Sequence, residues 1–289
     1  MKRSHAIVAG LGIVATGGVS LALFPPLRDA IGVAQPSSAE FVASRSLFAS
    51  ALDGVAARDL AARSVDVGLD ANAVVDAWRG TLLKEPEGQC AGRGIYLVRS
   101  DTTLPLAVTA PHRGADRHTG TLAAQLFAES GAAAAAWNSA PRSPTAECPN
   151  ALDLARAGQH PFTAFALAFA EVNPRGRIVQ LHGFDRDKRA DEAGRSAGLI
   201  VSNGTTEVDD ALLDLADCLS VALDPHPVRV FPLETRELGA LTNAQGAALR
   251  ETGFNGFVHL ELAADVRRQL TGDPALRAAV LQCLARGIG

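Results

Sequence analysis

From residue 95 onward the sequence alternates short apolar runs of β-like character with longer stretches of helical periodicity, and this alternation restricts the fold more than any other feature. Residues 95–99, 104–110, 132–137, 177–182, 199–202, 229–233 and 257–262 read as strands. Between them lie helical signals: residues 121–130 closed by Gly131, a Phe162, Phe165, Phe169, Val172 stripe ended by Pro174 and Gly176, and the Val208, Leu212, Leu215, Leu219 series. Thr242-Asn243-Ala244-Gln245 has the capping-box form that opens a helix stopping near Gly253, and Asp273-Pro274 opens a last helix carrying Leu276, Val280 and Leu284. Strands separated by helices require crossover connections, so the expected fold is α/β: three layers, α/β/α, around a mostly parallel mixed sheet.

The first third of the chain reads differently. Phe41, Phe48, Leu52 and Val55 fall on one helical face in a pattern running from residue 40 to about Trp78, punctuated by Gly54 and Gly68. This predicts a helical N-terminal extension over residues 35–90, packed on a main domain at 91–289. In residues 1–34, Lys2 and Arg3 precede an uncharged run from residue 6 to 24, broken by Pro25-Pro26 and followed by the small residues Gly32, Val33 and Ala34. That is the layout of an export signal, with an uncleaved membrane anchor as the alternative, and the expected location is periplasmic or secreted. Gly10, Gly12 and Ala15 also match a dinucleotide fingerprint, but Pro25-Pro26 interrupt the helix that fingerprint needs. In an exported chain the four cysteines, none in a C-x-x-C pair, allow three disulfide pairings, with buried thiols as the other reading.

Composition excludes several classes. With 47% apolar and 20% charged residues the chain is neither disordered nor a multi-span membrane protein, and 27 Lys and Arg against 31 Asp and Glu leave no basic excess for nucleic acid. The expected partner is a small-molecule or peptide substrate, with membrane contact only through the N-terminal segment if that segment stays uncleaved.

The chemically informative side chains gather at strand ends. His112 and Asp116 follow the strand at 104–110, His182 ends the strand at 177–182, and Glu261 lies near the end of 257–262. In open α/β sheets the carboxyl ends of the strands form the ligand crevice. Two imidazoles and a carboxylate are a catalytic zinc ligand set that leaves a fourth position open, and a second carboxylate can act as general base. Each residue also has a plain reading: His112 as a loop histidine, Asp116 as a helix cap, Glu261 as the ion-pair partner of Arg267. His182 ends a buried strand and needs a partner in any case. Alternation places Phe257, His259 and Glu261 on one face of the last strand.

Ala110-Pro111-His112-Arg113-Gly114-Ala115-Asp116-Arg117, Leu181-His182-Gly183-Phe184 and His259-Leu260-Glu261-Leu262 resemble the three site motifs of the zinc hydrolases related to N-formylglutamate amidohydrolase and poly-gamma-glutamate hydrolase, a group similar in fold to zinc carboxypeptidases. The resemblance covers the chain from Tyr96 to the C-terminus. It implies His112, Asp116 and His182 as Zn2+ ligands, Glu261 as the catalytic carboxylate, and Asn138 and Arg142 as the holders of a substrate carboxylate. The first motif departs from the carboxypeptidases, which have Glu three residues after the His where this chain has Asp after four, and so His118 stands as a substitute ligand. His160, just before the helix starting near Phe162, is a candidate for the same mouth, and Arg113, Arg117 and Arg142 favour an anionic substrate.

The expected function is an exported zinc hydrolase cleaving an amide bond in an acidic, acyl-amino-acid or peptide substrate, with zinc-bound water as nucleophile and Glu261 as general base. One alternative is a non-catalytic exported ligand-binding protein on the same fold. Another is a serine hydrolase using Ser196 in Gly194-Arg195-Ser196-Ala197-Gly198, but a nucleophile elbow needs its strand before the serine, and here the strand follows.

Overall fold

The computed structural model of the chain describes residues 36–102 and 104–288, so the export-signal reading of residues 1–34 lies outside it. Helix α1 (Ser38–Leu52) starts where the Ser37 hydroxyl accepts the Glu40 N–H at 3.1 Å, and α2 (Ala57–Val65) follows after Gly54. The helical pattern ends there and not near Trp78. Strands β1 (Asp70–Val74) and β2 (Gly80–Lys84) form an antiparallel hairpin that extends the sheet through β3 (Ile95–Arg99). The hairpin is hard to read in the sequence because β1 is an exposed edge of small and polar residues, Asp-Ala-Asn-Ala-Val, with little β propensity. Gly80 is required at its turn, since a Cβ there would overlap the Val98 carbonyl. The segment at 35–90 is thus half helical and half sheet edge.

The remainder follows the expected alternation: β4 (Leu104–Ala110), α3 (Thr119–Ala128), β5 (Ala132–Trp137), α4 (Pro161–Val172), β6 (Arg177–Phe184), the short α5 (Glu192–Ser196), β7 (Leu199–Ser202), α6 (Asp210–Ala222), β8 (Val228–Val230), α7 (Ala244–Glu251), β9 (Phe257–Ala263), α8 (Ala264–Gly272) and α9 (Pro274–Leu284). Strand β8 stops earlier than expected because Pro232 has no N–H to give a ladder. The strand order is β1-β2-β3-β5-β4-β6-β9-β7-β8. The sheet is mixed. Pairing is parallel for β4 with β5 and β6, for β6 with β9 and for β7 with β8. It is antiparallel at β7–β9 and through the β1-β2-β3-β5 end, where the hairpin adds pairings that the expected, mostly parallel sheet did not include.

Helices cover both faces, completing three layers. Helices α3, α6, α8 and α9 pack with Val108, Val179, Leu181, Val258 and Leu260 on one face. On the other, α1, α2, α4 and α7 pack with Tyr96, Val98, Ile178 and Phe257. There the α4 stripe locks onto α1 and β3, with Phe165 edge-on to Phe48 at 5.5 Å and tilted against Tyr96 at 5.3 Å. Each such buried aromatic contributes about 1.5–3 kcal/mol. Among the described residues no helix is long and apolar enough to cross a membrane.

The cysteines form Cys90–Cys148 and Cys218–Cys283, the latter joining α6 to α9 across 65 residues. Loop closure of that length is worth about 4 kcal/mol on the chain-entropy argument. We expect the Cys218→Ala, Cys283→Ala double variant to lose roughly that much in urea unfolding; unchanged stability would contradict the pairing.

Candidate metal centre

Five polar side chains meet at the carboxyl ends of β4, β6 and β9, and all are buried: His112, Asp116, His182, His259 and Glu261 are each 8% exposed or less. Local backbone explains how. After β4 the chain makes one helical turn in which the Asp116 N–H donates to the His112 carbonyl at 2.8 Å, so these two side chains point the same way. The Thr119 hydroxyl donates to the Asp116 carbonyl at 2.8 Å and fixes the turn against α3. In the parallel β6–β9 ladder Gln180 pairs with His259 and His182 with Glu261, so strand alternation puts all four on the sheet face covered by α4 and α7.

The Asp116 Oδ2 lies 3.4 Å from His112 Nδ1 and 3.5 Å from His182 Nδ1, and it accepts the Gly183 N–H at 3.0 Å. The far nitrogens are held from behind. His112 Nε2 donates to Asp153 Oδ1 at 2.7 Å, which leaves Nδ1 as a lone pair, buried and without a hydrogen-bond partner. His182 Nε2 lies 2.9 Å from Gln180 Oε1. Backbone groups fix which amide atom faces it: Gln245 Nε2 donates to the Leu154 carbonyl, so Gln245 Oε1 accepts from Gln180 Nε2. Likewise Asn243 Oδ1 accepts the Gly246 N–H, so Asn243 Nδ2 donates to Gln180 Oε1. Gln180 therefore offers His182 only an acceptor, His182 Nε2 carries the proton, and Nδ1 is again the lone pair.

Two imidazole lone pairs converging on one carboxylate make a cation site. The ligand atoms of His112, Asp116 and His182 all lie within 4.8 Å of one another. The donor set of two neutral nitrogens and one oxygen is that of a catalytic zinc site, and the acceptors behind both rings are the usual outer partners of metal-bound histidines. The residues fit the metal that the resemblance implies. In the metal-free protein burial would raise the Asp116 carboxyl, but its contacts with the two imidazoles hold it well below the carboxylate range. Burial would in turn lower His112, but Asp116 and Asp153 outweigh it and raise that ring, so that without a metal it favours its protonated form. Burial, opposed by Asp116, lowers His182, which favours its neutral, ligating form.

His182, His259 and Glu261 form a second close group. Among the described residues Glu261 makes no ion pair with Arg267; His259 Nε2 lies 3.7 Å from its Oε1, and Oε2 has no partner. Burial, reinforced by the Asp116 charge, pushes its carboxyl up to about 8. His259, its ring 4.6 Å from that of His182, is held neutral by burial and by the neighbouring imidazoles. Alternation had placed it on this face, but its part in the cluster depends on the β6–β9 register.

The other candidate residues separate. His118 is exposed at the start of α3 with a left-handed φ of 74° and takes no part in the cluster. Asn138 is buried behind the His112 turn, its Oδ1 accepting the Arg113 N–H and its Nδ2 donating to the Ala140 carbonyl, and it does not line the cavity. His160 caps α4 through Nδ1, accepting the Phe162 N–H at 3.1 Å, and is also absent from the lining. Burial drives its pKa down to about 3. Arg142 does line the cavity, and it is tied to Asp153 Oδ2 at 2.9 Å. Ser196 is exposed at the end of α5, donates to the Ala193 carbonyl, and lies outside the cavity. The cavity itself, about 1410 Å³, is lined by all five clustered residues.

No protein-family model and no curated protein matches the chain. Solved structures similar to it include the N-formylglutamate amidohydrolase of Ralstonia eutropha JMP134, 12% identical over 68% of this chain and 100% of that one, TM-score 0.43. A proposed metallopeptidase of Shewanella denitrificans OS217 is 15% identical over 85% of this chain and 89% of that one, TM-score 0.36. A proposed carboxypeptidase of Burkholderia mallei ATCC 23344 is 11% identical over 75% and 64%, TM-score 0.39.

The raised Glu261 pKa has a consequence for the metal-free protein. An unfolded glutamate titrates near 4.5 and the folded one near 8, so the folded state binds the proton more tightly. Stability from this group is full below about pH 4.5 and falls as pH rises toward about 8, by up to roughly 4 to 5 kcal/mol. We expect chelator-treated Glu261→Gln protein to gain in melting temperature over chelator-treated wild type progressively from pH 5 to 8; parallel curves would contradict the burial argument.

Proposed function

We propose that the chain is an exported zinc-dependent hydrolase that cleaves an amide bond in an anionic acyl-amino-acid or peptide substrate. The observation that carries this reading is the pairing of a three-atom metal group, His112 Nδ1, Asp116 Oδ2 and His182 Nδ1, with a carboxylate that is not one of its members and sits beside it in the β6–β9 register. When bound, zinc supplies Lewis acidity, polarising a carbonyl and lowering the pKa of water to about 7.

The chain's own residues do the rest. Asp153 and Gln180 hold the two imidazoles in the ligating tautomer and orientation. Glu261 Oε2, unpartnered in the cavity wall, takes a proton from water as the carbonyl is attacked and returns it to the leaving nitrogen, because an amide anion is too basic to depart unprotonated. A protein that only bound its ligand would have no use for a buried, unpaired carboxylate here, which costs stability. Arg117, Arg142, Arg156 and Arg236 at the cavity surface favour anions by charge. Two disulfides suit the oxidising compartment that the N-terminal segment suggests.

Metal content and turnover measured together test this. We expect about one zinc per chain, lost in His112→Ala and His182→Ala and weakened in Asp116→Ala. Glu261→Gln should keep the zinc and lose on the order of 10²- to 10⁴-fold in amide hydrolysis, about 3 to 5 kcal/mol of transition-state stabilisation. Zinc retained in both histidine variants, or hydrolysis unchanged in Glu261→Gln, would overturn the reading.

A further inference from the structure

His259 belongs to the buried cluster, yet it is neither one of the three metal-group residues His112, Asp116 and His182 nor the base. It is only 4% exposed and lines the cavity. Its place in β9 is held from both sides, because it pairs with Gln180 on β6 and with Ser202 on β7. Neither neighbour serves its ring. Gln180 Oε1 accepts from Asn243 and His182, and Gln180 Nε2 donates to Gln245. The Ser202 hydroxyl donates to the Gly239 carbonyl at 2.8 Å and accepts the Gly204 N–H at 2.8 Å.

The two ring nitrogens have different surroundings. Nδ1 is buried and has no hydrogen-bond partner, so a proton there would be an orphaned donor. Nε2 lies 3.7 Å from Glu261 Oε1, where a proton faces a carboxylate. The neutral ring therefore carries its proton on Nε2 and leaves Nδ1 as the lone pair. At 3.7 Å the Nε2–H is too far from Glu261 to be a hydrogen bond, so a strand-fixed donor stands unused beside the base. Nearby guanidinium groups are already bonded: Arg189, whose charge acts on Glu261, to Glu237 at 3.2 Å, and Arg142 to Asp153 at 2.9 Å.

We propose that His259 Nε2–H is the hydrogen-bond donor to the carbonyl oxygen of the scissile amide as that oxygen gains negative charge. The inference rests on reading the cluster as an amide hydrolase. As the water oxygen bonds to the carbonyl carbon, its proton passes to Glu261 and the electron pair of the C=O bond moves onto the carbonyl oxygen. His259 gives that oxygen a hydrogen bond and keeps its own proton. A donor fixed in mid-strand needs no rearrangement at the moment of reaction, which is what makes such groups effective.

The test reads binding to zinc-loaded protein by two monoanions that differ in shape, dimethylphosphinate, tetrahedral like the charged intermediate, and acetate, which is planar. His259→Phe keeps a ring against His182 and removes the donor; His259→Gln replaces the ring but keeps an N–H near the position of Nε2. We expect His259→Phe to weaken dimethylphosphinate at least about tenfold while acetate affinity and zinc content stay near wild type, and His259→Gln to recover most of the loss. A structural histidine would lower melting temperature in both variants without changing the ratio of the two affinities. Dimethylphosphinate bound equally by wild type and His259→Phe, or both ions weakened alike, overturns the proposal and leaves the hydrolase reading standing. Wild-type protein that takes up no zinc overturns the hydrolase reading and this proposal with it.

Discussion

His182 and Glu261 stand side by side because β6 and β9 pair in parallel, from Ile178 with Phe257 through Phe184 with Ala263. One set of alternating residues, Val179, Leu181, Val258, Leu260 and Leu262, is committed to the apolar face under α3, α6, α8 and α9. The other set begins with the apolar Ile178 and Phe257 and becomes polar toward the carboxyl ends, at Gln180, His182, His259 and Glu261. A slip of one residue would bury the histidines in the apolar layer and turn the leucines into the cavity, so the same packing that stabilises the sheet specifies the site.

Burying so many polar groups is costly, and the structure offsets the cost unevenly. On the ligand side the satisfaction is nearly complete: Gln180, Asn243, Gln245 and Thr163 form a connected network that ends on backbone groups of α7 and the 154 turn, and it fixes one imidazole. Asp153 fixes the other and is itself tied to Arg142. The 138–153 segment that carries them is pinned by Cys90–Cys148 and by Glu85, which accepts the Ala91 and Arg93 N–H groups and the Ser139 hydroxyl. On the reaction side satisfaction is withheld: His112 Nδ1, His259 Nδ1, Glu261 Oε2 and Arg267 Nε are all buried without partners. Of these, His112 Nδ1 is the atom that a bound cation would complete.

Most of the frame was legible in the sequence. The strands at 95–99, 104–110, 132–137 and 199–202 are continuous apolar or alternating runs, and the last helix announces itself through Asp273-Pro274. His112, Asp116, His182 and Glu261 could be brought together because each follows or ends a strand of an expected parallel sheet. The 70–84 hairpin was not legible, since an edge strand has no apolar alternation to betray it. Nor was Asp153, which lies 41 residues from His112 in a stretch without periodicity and meets it only through tertiary structure. Gln180 did carry a signal, being a polar residue inside a buried strand two positions before His182 and hence on the same face. Asn138 shows the limit of reading by motif: its side chain is used to brace the Arg113 and Ala140 backbone.

The central claim is that one cation is held by His112 Nδ1, Asp116 and His182 Nδ1, with Glu261 beside it and not bound to it. Anomalous diffraction at the zinc edge from crystals of zinc-loaded protein tests it directly. The account predicts a single strong peak about 2.0–2.2 Å from those three atoms, with Asp153 and Gln180 still on the far nitrogens. A peak centred on His182, His259 and Glu261, or one bound through His112 Nε2, would contradict it.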